Sequence, residues 1–210
     1  MNKRQNLKRL FIFNALLLVV AFAFLQYSVV THEEEPVLVV PKNVATNNII
    51  HSPTVTGVLK ERFIHYKTPE PMPDFPFKTA FDKDMTFDDL KAQWMILNLW
   101  ATWCPPCLVE MPSLQNLQNK YGGQGVKVVA ISLDRKMDGK KLRTFLSRKN
   151  FGPIAAYYGD GKRAMDLFAM RGLPTTYILE PGGRAIGSIA GDIDWTGEEA
   201  TAFIESLIQR

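Results

Sequence analysis

The sequence contains little cysteine and little histidine: two cysteines and three histidines in 210 residues. A structural zinc site needs four nitrogen or sulfur ligands, and the pair Cys104 and Cys107 supplies only half of them. The three histidines (His32, His51 and His65) all precede residue 74, where we expect the compact domain to begin. We therefore predict no metal site, and no motif indicates a bound cofactor.

An excess of one charge is also lacking in most of the chain. The formal charge of +4 at pH 7 arises from four basic residues among the first nine, and the remainder carries 21 basic and 21 acidic residues. A neutral body gives no electrostatic attraction to nucleic acid, so we exclude nucleic-acid binding. Internal repeats and low-complexity tracts are absent too, and the length suits one domain with appendages.

Charged residues are absent from Leu10–Val30. A run of this length crosses a hydrocarbon core of about 30 Å as a helix, so we predict a signal anchor at residues 10–30. Basic residues within 1–9 and the acidic run Glu33–Glu35 orient the N-terminus to the cytoplasm. Alternatively, Ala21–Ala23 resembles the cleavage site of a removed signal peptide, and either interpretation exports the rest of the chain. The basic residues before this run and the acidic residues after it argue against a helix buried in a protein core.

Residues 31–73 are polar, turn-rich and punctuated by prolines (Pro36, Pro41, Pro53, Pro69, Pro71 and Pro73). Because proline resists helix formation, we predict a partly extended stalk or linker over 31–73. Two apolar stretches within it, VLVV at 37–40 and VLKERFIHY at 58–66, are compatible with short strands or with contact to a partner.

From residue 74 to residue 210, apolar segments alternate between strand and helix patterns. The near-continuous apolar run Trp94–Trp100 predicts a strand that is buried on both faces. The further predicted elements are helices at 86–93, 107–121, 138–149, 162–169 and from Thr196, and strands at 126–133, 154–158, 175–180 and 184–191. Thr196 and Glu199 form a predicted capping box. This order predicts an α/β domain whose parallel sheet is extended by an antiparallel hairpin.

The two cysteines form a Cys-x-x-Cys motif. A structural disulfide between residues so close in sequence constrains little of the unfolded chain, and zinc lacks ligands. A redox dithiol is the third interpretation. After a strand and at the start of a helix, the Cys104 sulfur faces unpaired N–H groups that favour a thiolate. Because Pro105 pushes Cys104 out of the helical conformation, we predict an exposed nucleophile at Cys104 and a shielded resolving cysteine at Cys107.

The segment WATWCPPCLVEMP, residues 100–112, resembles the active site of membrane-anchored thioredoxin-fold proteins, namely the TlpA/ResA-like and CcmG-like thiol–disulfide oxidoreductases. The resemblance extends over roughly residues 75–210. Glu110 and Pro112 complete the motif Cys-x-x-Cys-x-x-Glu-x-Pro. Pro174, in GLPTTY, matches a cis proline that lies against the dithiol, and Asn98 replaces the buried aspartate of cytoplasmic thioredoxins. The resemblance implies a thioredoxin-like fold with a central mixed sheet flanked by helices.

The resemblance also implies roles for three residues besides the cysteines, each with a simpler alternative. Glu110 is either a surface acid or a buried group that raises the thiol pKa values and relays protons. Trp103 either packs beside the motif or docks the substrate. Pro174 either starts a strand or is the cis proline that leaves the Leu173 backbone free to pair with substrate. Cys104 and Cys107 would form the redox-active disulfide.

By the same resemblance, we expect a reductase of disulfides in exported proteins, anchored in the bacterial inner membrane with its domain in the periplasm. Its clients would be apocytochrome c or copper-site assembly proteins, and a DsbD/CcdA-like membrane protein would donate electrons. The alternatives are a periplasmic oxidase or isomerase, and a Cu(I)-binding metallochaperone that uses the two soft thiolates. The Pro-Pro dipeptide argues against a strong oxidant, and Thr175, where CcmG-like members often carry glutamate, favours the TlpA/ResA-like branch.

Overall fold

The computed structural model describes residues 57–90, 93–151, 154–168 and 170–209. The predicted cytoplasmic segment (1–9), the signal anchor (10–30) and the first part of the predicted linker (31–56) lie outside the described residues. Within the described ranges, no helix is both long and apolar enough to cross a membrane.

Helices and strands alternate along most of the described chain. In chain order they are α1 (Gly57–Arg62), β1 (Phe63–Pro71), β2 (Phe77–Thr79), β3 (Asp84–Met85), a 3-10 turn (Phe87–Leu90), β4 (Trp94–Trp100), α2 (Pro105–Tyr121), a second 3-10 turn (Gly122–Gln124), β5 (Val126–Ser132), α3 (Gly139–Arg148), β6 (Ala155–Gly159), α4 (Gly161–Phe168), β7 (Thr175–Leu179), β8 (Arg184–Ala190) and α5 (Glu198–Ile208).

The described strands form one mixed sheet in the order β1-β8-β7-β4-β5-β6-β2-β3. Strands β4, β5 and β6 are parallel, whereas β7 pairs antiparallel with β4 and with β8. The α/β architecture with a parallel core and an antiparallel hairpin is therefore confirmed. Because β4 lies at the centre of the sheet, its neighbours β5 and β7 bring their adjoining loops to the same edge as the loop that follows Trp100.

Strand β4 separates two apolar cores, since alternate side chains point to opposite faces of a strand. Ile96 and Trp100 pack with the apolar side of α2 and α5, whereas Leu97 and Leu99 pack into a cluster rich in phenylalanine on the other face. Asn98 has the same parity as Ile96 and Trp100. The register of β4 therefore places the Asn98 amide, a polar group with 1% of its surface exposed, against the helix that carries the cysteines.

The predicted linker is wrong for residues 57–71, which belong to the folded domain. Strand β1 pairs antiparallel with β8 at the edge of the sheet. The Phe63 ring lies 5.3 Å from that of Phe203 in α5, and Leu59 is buried. An edge strand tolerates Pro69 and Pro71 because it has no partner on one side, and its pairing with β8 is irregular between His65 and Glu70. His65 consequently also belongs to the domain, contrary to our expectation.

The predicted capping box at the last helix is also wrong. Helix α5 begins at Glu198 with Gly197 as its N-cap, and Thr196 instead donates hydrogen bonds to Asp194. The Glu199 carboxylate accepts a hydrogen bond from the Leu59 backbone N–H at 3.3 Å. Glu199 therefore contacts α1, a helix that lies within the segment we predicted to be a linker. The other predicted elements are confirmed with small shifts, except that 87–90 is a 3-10 turn.

Candidate active site

Cys104 and Cys107 lie where β4 passes into α2, and they form a disulfide. Cys104 is the N-cap of α2 with an extended backbone, and its sulfur accepts a hydrogen bond from the Cys107 N–H at 3.3 Å. Pro105 and Pro106 occupy the first two helical positions, where no intrahelical N–H bond is lost. The Cys104 sulfur thus sits at the positive end of a 17-residue helix, a position that stabilises a thiolate once the disulfide is reduced.

Cys104 is less exposed than we predicted, whereas Cys107 is shielded, as we predicted. Cys104 retains 4% of its accessible surface and Cys107 retains 1%, so Cys104 is not an exposed residue. Cys104 nevertheless lines a surface groove of about 670 Å³, to which Cys107 does not contribute. Trp103, 67% exposed, and Leu173 line the same groove. The two sulfurs therefore differ in their access to the groove, which Cys104 lines and Cys107 does not, rather than in their exposed surface.

The segment before β7 lies beside the dithiol because of the strand order. Leu99, near the end of β4, pairs with Thr175, the first residue of β7. The preceding Leu173–Pro174 peptide bond is cis, the isomer that the resemblance implied. The Thr175 hydroxyl donates to the Gly172 carbonyl at 2.8 Å, which fixes this turn. Strand pairing therefore brings Leu173 beside Trp103 and Cys104, which lie about 70 residues earlier in the sequence.

Glu110 is buried, as the resemblance suggested, with 2% of its surface exposed. Its Oε1 accepts hydrogen bonds from the Trp195 indole N–H at 2.7 Å and the Ile193 N–H at 3.2 Å, and its Oε2 accepts one from Asn98 at 2.9 Å. Burial raises the pKa of Glu110 from 4.5 to about 7, since its loss of hydration outweighs these three hydrogen bonds. The carboxyl group therefore exchanges a proton near neutral pH.

Asn98 connects Glu110 to the sheet. Its side-chain amide also donates to the Thr176 hydroxyl at 2.9 Å, and Thr176 is its register partner in β7. The amide oxygen of Asn98 has no hydrogen-bond partner among the described residues. An asparagine here avoids a second carboxylate beside Glu110, where two buried negative charges would repel each other.

A second buried carboxylate, Asp134, holds the loop in front of Cys104. It accepts hydrogen bonds from the Thr102 N–H at 2.9 Å, the Thr102 hydroxyl at 2.6 Å and the Ser132 hydroxyl at 2.7 Å. Asp134 was not predicted as a site residue from the sequence. Its position could have been inferred from the sequence. Strands β4 and β5 are parallel and Trp100 pairs with Ser132, so the residues that follow the two strands meet at one edge of the sheet.

Two further partners of Glu110, Ile193 and Trp195, were also missed. They lie 83 and 85 residues after Glu110, in the loop between β8 and α5. No spacing pattern links them to the Cys-x-x-Cys motif. Only the pairing of β8 with β7, and of β7 with β4, brings that loop to the buried side of α2.

Comparisons with known proteins agree with this geometry. The AhpC/TSA family matches residues 69–185, more than half of the chain. The thiol-disulfide oxidoreductase ResA of Oceanobacillus iheyensis is 33% identical over 124 residues, which cover 56% of this chain and 62% of that protein. ResA of Bacillus subtilis is 28% identical over 120 residues, which cover 57% and 65%. The chain thus spans slightly less than two thirds of the length of these relatives.

Solved structures show the same fold. A thiol:disulfide interchange protein of the thioredoxin family from Chlorobium tepidum TLS superposes with a TM-score of 0.54 at 22% identity, over 68% of this chain and 99% of that one. A thiol:disulfide interchange protein from Bacteroides sp. superposes with a TM-score of 0.57 at 15% identity, over 70% and 93%. The mixed sheet with flanking helices is therefore a thioredoxin-like α/β fold.

Proposed function

Because this chain belongs to the AhpC/TSA family, we propose that it is a thiol–disulfide oxidoreductase that reduces disulfides in exported proteins. The observation that carries the proposal is the Cys104–Cys107 disulfide at the N-terminus of α2, with Cys104 at the groove and Cys107 beneath it. The similarity to ResA proteins, which are thiol-disulfide oxidoreductases, supports the same reaction class.

The proposed reaction begins with the reduced dithiol. The Cys104 thiolate attacks one sulfur of a client disulfide; that S–S bond breaks, and a mixed disulfide forms between Cys104 and the client. The Cys107 thiolate then attacks the Cys104 sulfur and releases the client as a dithiol. Two electrons pass to the client, the protein disulfide re-forms, and a dithiol of a membrane donor protein of the DsbD/CcdA kind reduces it again.

Glu110 serves the second step of this scheme. Cys107 must lose its proton before it attacks, yet it is buried and has no direct contact with the groove. Glu110 lies one turn further along α2 and carries a carboxyl group whose pKa is raised to about 7 by burial. Such a group accepts a proton from a buried thiol near neutral pH. We propose Glu110 as the proton acceptor for Cys107.

The residues around the sulfurs support the direction of electron flow that we propose. Strong oxidants stabilise their reduced form. Among the described residues, no histidine lines the groove to stabilise the Cys104 thiolate, and the Arg135 and Lys162 cations that do line it are exposed and screened by solvent. We therefore propose a reducing couple, close to thioredoxin at about −270 mV. Equilibration of the purified domain with dithiothreitol buffers tests this value, and a potential near about −120 mV would make the protein an oxidant instead.

Trapping tests the division of labour between the sulfurs. In Cys107→Ser the mixed disulfide cannot resolve, so client proteins should accumulate on Cys104 and separate from it on reduction. The double variant Cys104→Ser/Cys107→Ser is the matched control and should capture nothing. Equal capture by both variants would refute the assignment of Cys104 as the nucleophile. Identification of the captured proteins by mass spectrometry would also show whether cytochrome c or copper-site proteins are among the clients.

We further propose that residues 10–30 anchor the protein in the bacterial inner membrane, with the domain on the periplasmic side. The uncharged run and the basic residues before it support this orientation. Spheroplasts expose the periplasmic side, so added protease should digest the domain in spheroplasts and leave it intact in whole cells. Protection in both preparations would place the domain in the cytoplasm, where a reductase of exported proteins has no substrate.

A further inference from the structure

We propose that the groove beside Cys104 selects client segments that carry a carboxylate close to the reactive cysteine and an apolar side chain next to it. This inference rests on the proposed function, because it concerns which disulfides the reductase prefers. The expected client is an extended, acidic segment that contains a disulfide.

The walls of the groove are mostly apolar. The lining side chains that carry this character are Trp103, Pro105, Pro106, Leu133, Met165 and Leu173. Trp103 and Met165 keep 67% and 44% of their surface exposed, which is costly for large apolar side chains unless another molecule covers them. An apolar client side chain next to the reactive cysteine would bury this surface and hold the scissile sulfur near Cys104.

The charges at the groove are of one sign. Arg135, just beyond the end of β5, and Lys162, in the first turn of α4, both line it and are exposed. Among the described residues, no acidic side chain lines the groove, and neither cation forms an ion pair. By contrast, Lys78, Lys120 and Lys141 are each paired with a carboxylate elsewhere on the domain.

Nearby carboxylates form no ion pair with Arg135 or Lys162 within the described residues. Asp134 precedes Arg135, but its oxygens accept hydrogen bonds from Thr102 and Ser132. Asp160 precedes α4 and accepts from the Arg163 N–H at 2.9 Å. Asp166 lies one turn after Lys162 in α4 and makes no ion pair with it within the described structure. Hydrogen bonds from neutral donors leave a carboxylate charged, so these groups reduce the positive potential around the groove. What the groove offers a ligand is two exposed cations without an ion-pair partner among the described residues.

The position of Lys162 is itself unfavourable for the helix. The first turn of α4 contains no acidic residue, and a lysine there adds positive charge to the positive end of the helix dipole. Such a local conflict with stability is expected at functional positions. A client carboxylate placed at this end of the groove would meet Lys162 and Arg135 together, whereas the terminus of α4 is already capped by Asp160.

Synthetic peptides test the preference directly. Each carries one cysteine, bound as a mixed disulfide to neutral 2-mercaptoethanol, with leucine next to it and Glu, Gln or Lys two residues away. The reduced wild-type protein should react with the Glu peptide about tenfold faster, in the second-order rate constant, than with the Lys peptide at low ionic strength. The Gln peptide should lie between them. The contrast should fall severalfold in 0.5 M NaCl, because salt screens the attraction.

Charge reversal identifies the residues responsible. Arg135→Glu/Lys162→Glu should invert the order of the Glu and Lys peptides. Arg148→Glu/Lys149→Glu is the matched control, since it reverses two exposed charges that do not line the groove, and it should keep the wild-type order. An unchanged order in Arg135→Glu/Lys162→Glu, or no preference in the wild type, would overturn the proposed selectivity.

Two further measurements separate this inference from the proposed function. The control variant Arg148→Glu/Lys149→Glu should reduce neutral 2-hydroxyethyl disulfide at the wild-type rate. Because Arg135→Glu/Lys162→Glu changes charges beside Cys104, its peptide rates are divided by its own rate with this neutral compound before the order is compared. If the wild type leaves that compound intact, the proposed function fails, and the selectivity is then judged from binding alone. For that purpose, serine analogues of the same peptides are titrated while the intrinsic tryptophan fluorescence, to which the exposed Trp103 contributes, is recorded. A Glu analogue that binds no tighter than its Lys counterpart would refute the acidic preference independently of any redox activity.

Discussion

The two sides of the Cys104–Cys107 disulfide differ in almost every physical property. On the groove side, Cys104 meets exposed apolar surface and cations that lack carboxylate partners. On the inner side, Cys107 precedes Glu110 on α2, and the polar groups there are buried and hydrogen-bonded to one another. The groove has unsatisfied binding capacity, whereas the inner side has nearly none.

Under the proposed function, this difference indicates how the reaction would be divided between the two sides of the disulfide. Client recognition needs surface that gains free energy when it is covered, and the groove supplies it. Proton transfer from a buried thiol needs a group that titrates near neutral pH and is shielded from the client, and Glu110 supplies that. The following changes test this division, beginning with the largest expected effect.

Replacing Cys104 with serine should abolish disulfide reduction, by roughly three orders of magnitude or more, because the hydroxyl is a poor nucleophile toward sulfur. Cys107→Ser should instead retain the first step and stop at the mixed disulfide. Single-turnover mixing with a disulfide peptide, followed by mass spectrometry, distinguishes the two variants. If Cys104→Ser rather than Cys107→Ser formed the mixed disulfide, the assigned roles of the two sides would be reversed.

Glu110→Gln should remove a pH dependence of stability. The folded state binds the Glu110 proton more tightly than the unfolded state, so the stabilisation is fully present below about pH 4.5 and is lost as the pH rises through about 7. The shift from 4.5 to about 7 corresponds to about 3 kcal/mol in the free energy of unfolding. Urea unfolding of the oxidised domain at pH 5 to 8 measures it.

The variant should unfold with nearly the same free energy across that range. Glutamine fits this site because the amide oxygen of Asn98 is unpaired and offers an acceptor. Glu198→Gln, at an exposed carboxylate of α5, is the control and should keep the wild-type slope. An unchanged slope in Glu110→Gln would mean that Glu110 does not titrate in this window.

Asp134→Asn tests the loop between the two sides. Asparagine places an amide N–H against donors from Thr102 or Ser132, which should cost about 1–3 kcal/mol of stability. Because Thr102 is two residues before Cys104, the reaction with disulfide peptides should also slow severalfold. Thr102→Ser keeps both donors and should behave like the wild type. Wild-type stability in Asp134→Asn would show that this carboxylate does not hold the loop.

The parts of the molecule that were predictable are those with local signals. The run Trp94–Trp100 is apolar at nearly every position, so its burial on both faces and its bounds follow from composition. The start of α2 follows from the prolines after Cys104, and the position of Pro174 follows from the resemblance. These features depend on few contacts beyond their own segment.

The errors and omissions have long-range causes. Residues 57–71 contain prolines and no clear periodicity, and their strand forms only because β8 offers an edge and Phe203 offers a contact. The depth of Cys104 depends on its packing among residues of three other segments that line the groove. Trp195 lies beside Glu110 because β8 ends near α2, and no spacing in the sequence indicates this.

Trp195→Phe should have the smallest effect of these variants, and that effect should be limited to the pKa of Glu110 on the inner side of the disulfide. The indole N–H donates to Glu110 at 2.7 Å and lowers the pKa of that carboxyl, so its removal should raise the pKa further. The window in which stability depends on pH should therefore extend to higher pH. Infrared titration of the buried carboxyl C=O band measures the midpoint directly.

The same titration separates the two sides of the disulfide. Trp103→Phe changes an exposed tryptophan of the groove, which has no hydrogen bond to Glu110, and should leave the midpoint unchanged. Conversely, Trp103→Phe should weaken binding of the Glu peptides, whereas Trp195→Phe should not. If both tryptophan variants moved both the midpoint and the peptide affinity, proton handling and client binding would be coupled through the dithiol, and the division between groove and interior would not hold.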